Sequence, residues 1–484
     1  MAYYAQNQLL KVKNGSGSGY SSPPIPIVNA ASERLNALAA KNRENHKRGG
    51  KAPVNFGLGD AGYSLSPETR RRGVEKFLET GSAHYTPVGG DPAYIKKLRP
   101  LVEQVTGLDV PEENIVVGGG ARNMNFVAFS TFSVVDRSGR HKYLAATPTW
   151  ATFEDQIKLV SVLSGKNGAF VKIETRDGKI PVESLERALA GDKTIGRIIY
   201  QNFVNPSGAA YSEKEAEAIA TLAAKHECLV LDDGTYSVLS RADGARYNGI
   251  IRASLTSGDE KASQWVPTHT IFTFSVHKVF GSGIRNTSAV IFCEGLRKNF
   301  KSALGTITGP AGTVDQSIMG AFVESGELRN AIAHYDEKAA AVSLALDWLK
   351  KTFEENFSGA VSMRHTEPEG AYYVQMKFKG LKGMSYKHAD DGDEAESKHS
   401  IQTHSDFCDY LLRKVNVKLQ PGEASLVPSN PNSLSVRLCF GPPKKEDIFR
   451  GIIETAFAVH DLLLANGVKG IKPPDASALE STGN

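Results

Sequence analysis

Thr270-Ile-Phe-Thr-Phe-Ser-Val-His-Lys-Val-Phe-Gly-Ser-Gly-Ile-Arg285 is the stretch on which the fold turns. An apolar run ends at Ser275, Lys278 follows three residues later in a glycine-rich segment, and Arg285 lies seven residues beyond it. A lysine at the C-terminal edge of a parallel sheet sits where open α/β folds bind their ligands. Enclosed there, its ammonium loses hydration and its pKa falls, which makes the amine a nucleophile able to form a Schiff base. Ser275 and Arg285 can flank a phosphate, the arginine as a permanently charged fork. An isolated Ser-x-x-Lys is more often a lysine in a surface loop, so the surrounding chain has to decide.

Working outward, Ile115-Val116-Val117, Tyr143-Leu144-Ala145-Ala146, Arg197-Ile198-Ile199-Tyr200, Leu229-Val230-Leu231 and Ser288-Ala289-Val290-Ile291-Phe292 are short apolar runs separated by helical patterns. A mostly parallel sheet covered on both faces requires this arrangement, and it predicts an α/β architecture. Between the runs, Ser212 and Glu215 form a capping-box signature for a helix start. Gly118-Gly119-Gly120-Ala121-Arg122-Asn123 follows a strand and precedes the helical run Met124 to Phe132, so Gly120, Ala121 and Arg122 can offer backbone donors to a phosphate at a helix N-terminus. After about Ser325 the pattern changes to a long helix running to Phe357, strands near Ala371–Phe378 and Leu434–Phe440, and a closing helix around Lys445–Asn466. This predicts an N-terminal arm over 1–27, a large domain over 71–325, and a smaller α+β domain built from 28–70 and 326–484.

The bulk properties fit a small-molecule enzyme. The chain has 484 residues, 57 Lys+Arg against 53 Asp+Glu, and 40% hydrophobic residues. A net charge of +4 without a basic block argues against nucleic acid or an anionic membrane as a partner. Cys228, Cys293, Cys408 and Cys439 are far apart, with no CxxC, which points to thiols in a reducing compartment. No metal site is expected: His388, His399 and His404 match no ligand spacing. The N-terminus lacks a basic segment followed by an apolar run, and no apolar stretch approaches membrane length, so a cytoplasmic location is expected. The acidic insert Lys387 to Ser400 reads as a solvated loop.

Asn205-Pro206-Ser207-Gly208, Asp233-x-x-Tyr236 and Ser275-x-x-Lys278 followed by Gly-x-Arg285 together resemble the fold-type I pyridoxal-phosphate enzymes of the class I/II aminotransferase family. The pieces occur in that family's order, and the resemblance spans roughly Val54 to Leu464. It implies pyridoxal 5'-phosphate as cofactor and a fold-type I transferase architecture. By resemblance, Lys278 is the Schiff-base lysine and later the base that moves the α-proton. Asp233 is the carboxylate beside the pyridine nitrogen, where it helps the ring accept electrons. Asp232 competes for that role; Asp233 is preferred because it lies three residues before Tyr236. Tyr236 and Asn205 bond the phenolate oxygen, and Gly120, Ala121, Arg122, Ser275 and Arg285 hold the phosphate. Trp150 matches the aromatic that stacks on the ring, the alternative being a core tryptophan. Tyr85 resembles the tyrosine that reaches a neighbouring subunit's phosphate, which implies a homodimer with shared sites. Arg437 in Leu434–Phe440 matches the arginine that takes the substrate α-carboxylate. Gly59 lies in a loop, Gly57-Leu58-Gly59-Asp60, that resembles the one closing over substrate; Asn205 and Trp150 also face the substrate. Gly370-Ala371-Tyr372-Tyr373 matches a small-domain strand facing the site.

Departures from the family pattern bear on the reaction. Gly234 follows Asp233 where a larger residue is usual, and His277 stands where serine is usual, either as a plain substitution or as a pH-sensitive group. The seven-residue spacing from Lys278 to Arg285 resembles the aminoadipate and kynurenine aminotransferase branch. Gly305 to Asp315, where dicarboxylate-specific members place a second arginine, has none. The leading expectation is an aminotransferase acting on an α-amino acid. The alternative is a pyridoxal-phosphate enzyme of secondary metabolism: γ-elimination or replacement on an S-adenosylmethionine-like substrate, decarboxylation or oxidation. A regulator with an aminotransferase-like domain would need an added DNA-binding domain, for which Met1 to Pro53 is too short.

Overall fold

The computed structural model describes residues 35–40, 42, 52–79, 84–136, 138–165, 170–241, 246–281, 283–357, 359–387, 399–477 and 479. The arm expected over 1–27 and nearly all of the acidic insert therefore lie outside the described residues. In chain order the strands are β1 (Val54–Asn55), β2 (Ile115–Gly118), β3 (Lys142–Thr147), β4 (Phe170–Glu174), β5 (Ile195–Tyr200), β6 (Leu229–Gly234), β7 (Thr270–Ser275) and β8 (Thr287–Val290). They continue with β9 (Ser362–His365), β10 (Tyr373–Lys379), β11 (Ser385–Tyr386), β12 (His399–Ser400), β13 (Val417–Lys418), β14 (Gln420–Pro421) and β15 (Ser433–Cys439).

Seven strands form one mixed sheet in the order β2-β8-β7-β6-β5-β3-β4. β8 runs antiparallel to both neighbours, and the other pairings are parallel. Because side chains alternate across a strand, the apolar runs feed two cores at once. Val116, Tyr143, Ile199, Leu231 and Ile271 pack on one face with Phe129, Phe153 and Phe300. Their neighbours Val117, Leu144, Ile198, Val230 and Phe272 pack on the other. A sheet buried on both faces explains why these strands read as unbroken apolar runs. β4 escaped the sequence reading because it is an edge strand whose side chains are mostly half-exposed or exposed, which leaves no apolar run to read.

The helix Glu213–Lys225 opens with both bonds of the capping box between Ser212 and Glu215. A long helix, Glu327–Asn356, separates the large sheet from a four-stranded antiparallel sheet in the order β14-β15-β10-β9. β1 pairs in parallel with β13, so segments more than 360 residues apart in the chain meet, Val54 opposite Val417. Among the described residues, no helix is long and apolar enough to cross a membrane.

The core under the large sheet sets a testable expectation. Phe129, fully buried, meets the edges of Tyr143 and Phe153 at centroid distances of 5.3 and 6.1 Å. Phe129→Ala should lower stability by about 3–5 kcal/mol in chemical denaturation. A loss below about 1 kcal/mol would show that this face is not close-packed.

Candidate active site

The C-terminal ends of β2, β3, β5, β6 and β7 lie at one edge of the sheet, and the segments that follow them line a single cavity of about 710 Å³. After β2 come Gly120, Ala121 and Arg122; after β3, Trp150; after β5, Asn205. Asp233 ends β6 and is followed by Tyr236; Lys278 and Arg285 follow β7. The smaller sheet contributes Arg437 from β15 and Tyr373 from β10, and the loop after β1 contributes Gly59.

The turn after β2 is built for a bound anion. The helix Ala121–Val135 starts at Gly120, whose φ of +96° disfavours any residue with a side chain, and no side chain caps it. The first N–H groups of a helix carry partial positive charge, and here they open on the cavity. Arg285 is beside them: a Cβ added to Gly120 would lie 3.4 Å from Arg285 Cβ.

Strand alternation separates the two aspartates of β6. Asp233 lines the cavity; its Oδ2 accepts from Gln201 Nε2 at 3.0 Å, and its Oδ1 accepts from the Thr235 N–H at 3.2 Å and from the Thr235 hydroxyl. Burial raises its pKa and these donors work against that rise. Asp232 faces away and accepts from Tyr247 and from the Ile250 N–H, the first of a helix. Burial lifts its carboxyl to about 7.

Lys278 sits on a 3-10 turn, His277–Val279, at the end of β7. Burial lowers its pKa first, and the nearby Arg437 and Arg122 push the same way, while Asp60 and Cys439 oppose them. Arg437 is buried. Its Nη1 donates to Asn205 Oδ1 at 3.0 Å, its Nη2 donates to the Gly57 carbonyl at 3.2 Å, and its guanidinium lies 4.5 Å from the Tyr373 ring centre. Its Nε is buried without a hydrogen-bond partner among the described residues. The Tyr236 and Tyr373 hydroxyls are 2.9 Å apart. Gly59 is small for a reason: a Cβ there would meet Tyr373 Oη at 2.9 Å and Arg437 Nη2 at 3.1 Å. Trp150 has the Arg122 guanidinium 5.6 Å from its ring and packs edge-on against Phe153.

Two residues singled out in the sequence lie elsewhere. Ser275, assigned to the phosphate, is fully buried and does not line the cavity; its hydroxyl is 2.6 Å from that of Thr287, its register partner on β8. That contact runs between neighbouring strands of the sheet. Tyr85 is 93% exposed and does not line the cavity of its own chain. Gln201, Thr235 and Lys418 are among the lining residues that had no role in the sequence reading. Gln201 bonds Asp233 and accepts the Asn205 N–H at 3.1 Å, Thr235 bonds Asp233, and Lys418 comes from β13. Gln201 and Thr235 are the residues just past two strand ends, a position that could have marked them.

His277 also lines the cavity, and its Nδ1 is 2.9 Å from the Asn286 carbonyl. Burial drives its pKa down to about 4, with Lys278 and Arg285 adding to the fall. Burial thus favours the neutral imidazole near pH 7. Its folded pKa lies below the unfolded value of 6.5, so the unfolded chain takes up the proton first. Stability from this group is complete above about pH 6.5 and is lost as pH falls toward 4. His277→Gln should reduce the drop in unfolding free energy between pH 7.5 and about 4.5 by roughly 2 kcal/mol. Parallel stability–pH curves for the two proteins would contradict the burial of a neutral imidazole.

Comparison with known proteins agrees with this geometry. The family model "Aminotransferase class I and II" matches residues 51–450. An aspartate aminotransferase of Bacillus sp. (strain YM-2) is 23% identical over 409 residues, covering 81% of this chain and 89% of that protein. An asparagine–oxo-acid transaminase of Streptococcus mutans is 31% identical over 228 residues, 46% of this chain; the match spans 52% of that relative, about half its length. The solved aspartate aminotransferase of Rhizobium meliloti superposes with a TM-score of 0.71 at 21% identity, covering 92% of this chain and 99% of that one. The Thermus thermophilus enzyme with maleate gives a TM-score of 0.66 at 19% identity, covering 89% and 97%. These structural likenesses show the fold-type I aminotransferase architecture. The chain belongs to the class I and II aminotransferase family, which depends on pyridoxal 5'-phosphate.

Proposed function

We propose that the protein is an aminotransferase that takes nitrogen from an α-amino acid and returns it to a keto acid. The observation that carries this reading is the meeting of Lys278, Asp233 and Arg437 in one cavity. The donor set suits pyridoxal phosphate. Gly120 begins an uncapped helix beside Arg285, a cradle for a phosphate. Asp233, held by Gln201 and Thr235, faces the cavity as an acceptor for a ring N–H. The buried Nε of Arg437, without a partner, is a donor awaiting a carboxylate. When bound, the cofactor supplies an electron sink that makes the substrate's α-carbon acidic.

The chain's own residues then have distinct tasks. Lys278, its ammonium destabilised by burial, would be the amine that holds the cofactor and the base that moves the proton at the substrate's α-carbon. Asp233 would keep a pyridine nitrogen protonated, Tyr236 and Asn205 would donate to the ring oxygen, and Trp150 would cover the ring. Arg437 takes the α-carboxylate as a fork and thereby orients the α-proton toward Lys278. The loop with Gly59 lies over Arg437 and keeps water from that ion pair. Division into a large domain over 71–325 and a small one from 28–70 and 326–484 would let that loop move with Arg437. A shared-site homodimer is part of the same reading, because Tyr85 projects from the surface instead of into its own cavity.

A half-reaction decides between this chemistry and other chemistry on the same cofactor. Holoenzyme mixed with single α-amino acids should yield one keto acid per site and a lasting shift of the cofactor absorbance, reversed by a keto acid. S-adenosylmethionine in a parallel arm should give no elimination product. Absence of keto acid from every amino acid, with product from S-adenosylmethionine, would overturn the proposal.

A further inference from the structure

Tyr335 does not line the cavity, yet its hydroxyl is bonded to two of the segments that do. It sits on the long helix Glu327–Asn356 and is fully buried. The hydroxyl accepts from the Gly62 N–H at 2.9 Å and from the Tyr63 N–H at 3.2 Å, just past Gly59 in the loop over Arg437. It donates to the Val279 carbonyl at 2.7 Å, one residue past Lys278. A phenol has one proton and two acceptor positions, so these three bonds use its full capacity. The proton must go to Val279, because a carbonyl cannot donate.

The surroundings leave the ring little freedom. Tyr335 packs on Tyr372 with ring centres 5.6 Å apart, and Tyr372 packs in turn on Tyr236 and Tyr373 at 5.6 and 4.9 Å. Tyr236 and Tyr373 line the cavity. Three residues along the helix, and so on the same face, Lys338 donates to the Gly441 carbonyl at 2.6 Å. Gly441 lies four residues past Arg437. A Cβ on Gly441 would come within 2.3 Å of the Asp60 carbonyl oxygen, so the loop and the chain leaving β15 touch backbone to backbone. One helix face therefore holds the loop over Arg437, the turn bearing Lys278 and the chain that follows Arg437.

We propose that Tyr335 is a positioning residue for Lys278: its hydroxyl fixes the Lys278 turn and the Gly59 loop at one mutual setting. This rests on the reading that Lys278 moves the α-proton of an amino acid whose carboxylate Arg437 holds. The amine and the α-carbon then meet at a separation that the hydroxyl sets from behind, without touching either. Proton transfer is sensitive to such placement, and a shift of about 1 Å costs on the order of 100-fold in rate. Tyr335→Phe keeps the ring and its packing. It leaves two N–H groups and one carbonyl without their shared partner, so the loop and the lysine turn lose their common anchor.

The test compares wild-type, Tyr335→Phe and Tyr410→Phe holoenzymes. Tyr410 is the control: it is buried, and its hydroxyl donates to the Ala458 carbonyl between the helices His404–Val415 and Lys445–Ala465. The half-reaction is run with the amino acid that gives most keto acid, in α-protiated and α-deuterated form. Tyr335→Phe should lower the maximal rate by about 30-fold and leave the half-saturating concentration within about threefold. Its deuterium isotope effect should rise, because proton transfer becomes the slow step. Tyr410→Phe should match the wild type. The pH titration of the cofactor absorbance gives a readout without turnover. In Tyr335→Phe its midpoint should move up by about one pH unit, because a loosened turn admits water that favours a charged nitrogen on Lys278. If no amino acid gives keto acid but the midpoint moves in Tyr335→Phe alone, the aminotransferase reading fails and the positioning of Lys278 stands. A midpoint unmoved in Tyr335→Phe, an equal shift in Tyr410→Phe, or an isotope effect equal to the wild type's would overturn the assignment, even if stability fell.

Discussion

Arg437 ties the molecule together. It comes from β15 of the smaller sheet, donates to Asn205 in the turn after β5 of the large sheet, and donates to the carbonyl of Gly57 in the loop after β1. Three segments separated by hundreds of residues meet on one buried guanidinium. Burying such a charge without a full set of partners is unfavourable. Its Nε has no hydrogen-bond partner among the described residues. The neighbours follow from the same constraint: Gly59 must be small, and the Tyr373 ring must lie across the cation.

The cavity's electrostatics are consistent with an enzyme that sorts its few charges by burial. Lys278 and Asp233 are both pushed toward their neutral forms by desolvation, but their surroundings differ. Asp233 keeps hydrogen-bond donors that favour the carboxylate, whereas Lys278 has charges of both kinds nearby, Asp60 and Cys439 favouring its ammonium and Arg437 and Arg122 disfavouring it. One aspartate of β6 is given to the cavity and the next to a helix start, an assignment made by strand geometry alone.

Much of this was legible because a doubly covered sheet leaves apolar runs and because turns at strand ends carry their own signatures. Lys278, Asp233, Asn205 and the Gly120 turn all follow or end such runs. The choice of Asp233 over Asp232 was made by spacing, and the structure gives the physical counterpart. The contact of Ser275 with Thr287 was not legible, because a hydroxyl at a strand end has more than one neighbour and the register of the antiparallel β8 is visible only in three dimensions. Gln201 carries no charge or motif, so its bond to Asp233 is visible only in three dimensions. Lys418 was hidden for a different reason: β13 has two residues and leaves no periodicity to read.

The account depends most on Lys278 being the cofactor's anchor, and borohydride reduction of the holoenzyme followed by peptide mapping tests it most directly. The account predicts the cofactor's mass on the peptide containing Lys278 and on no other, with the label absent in Lys278→Ala. A label on Lys418 or any other lysine of the wild type would contradict it.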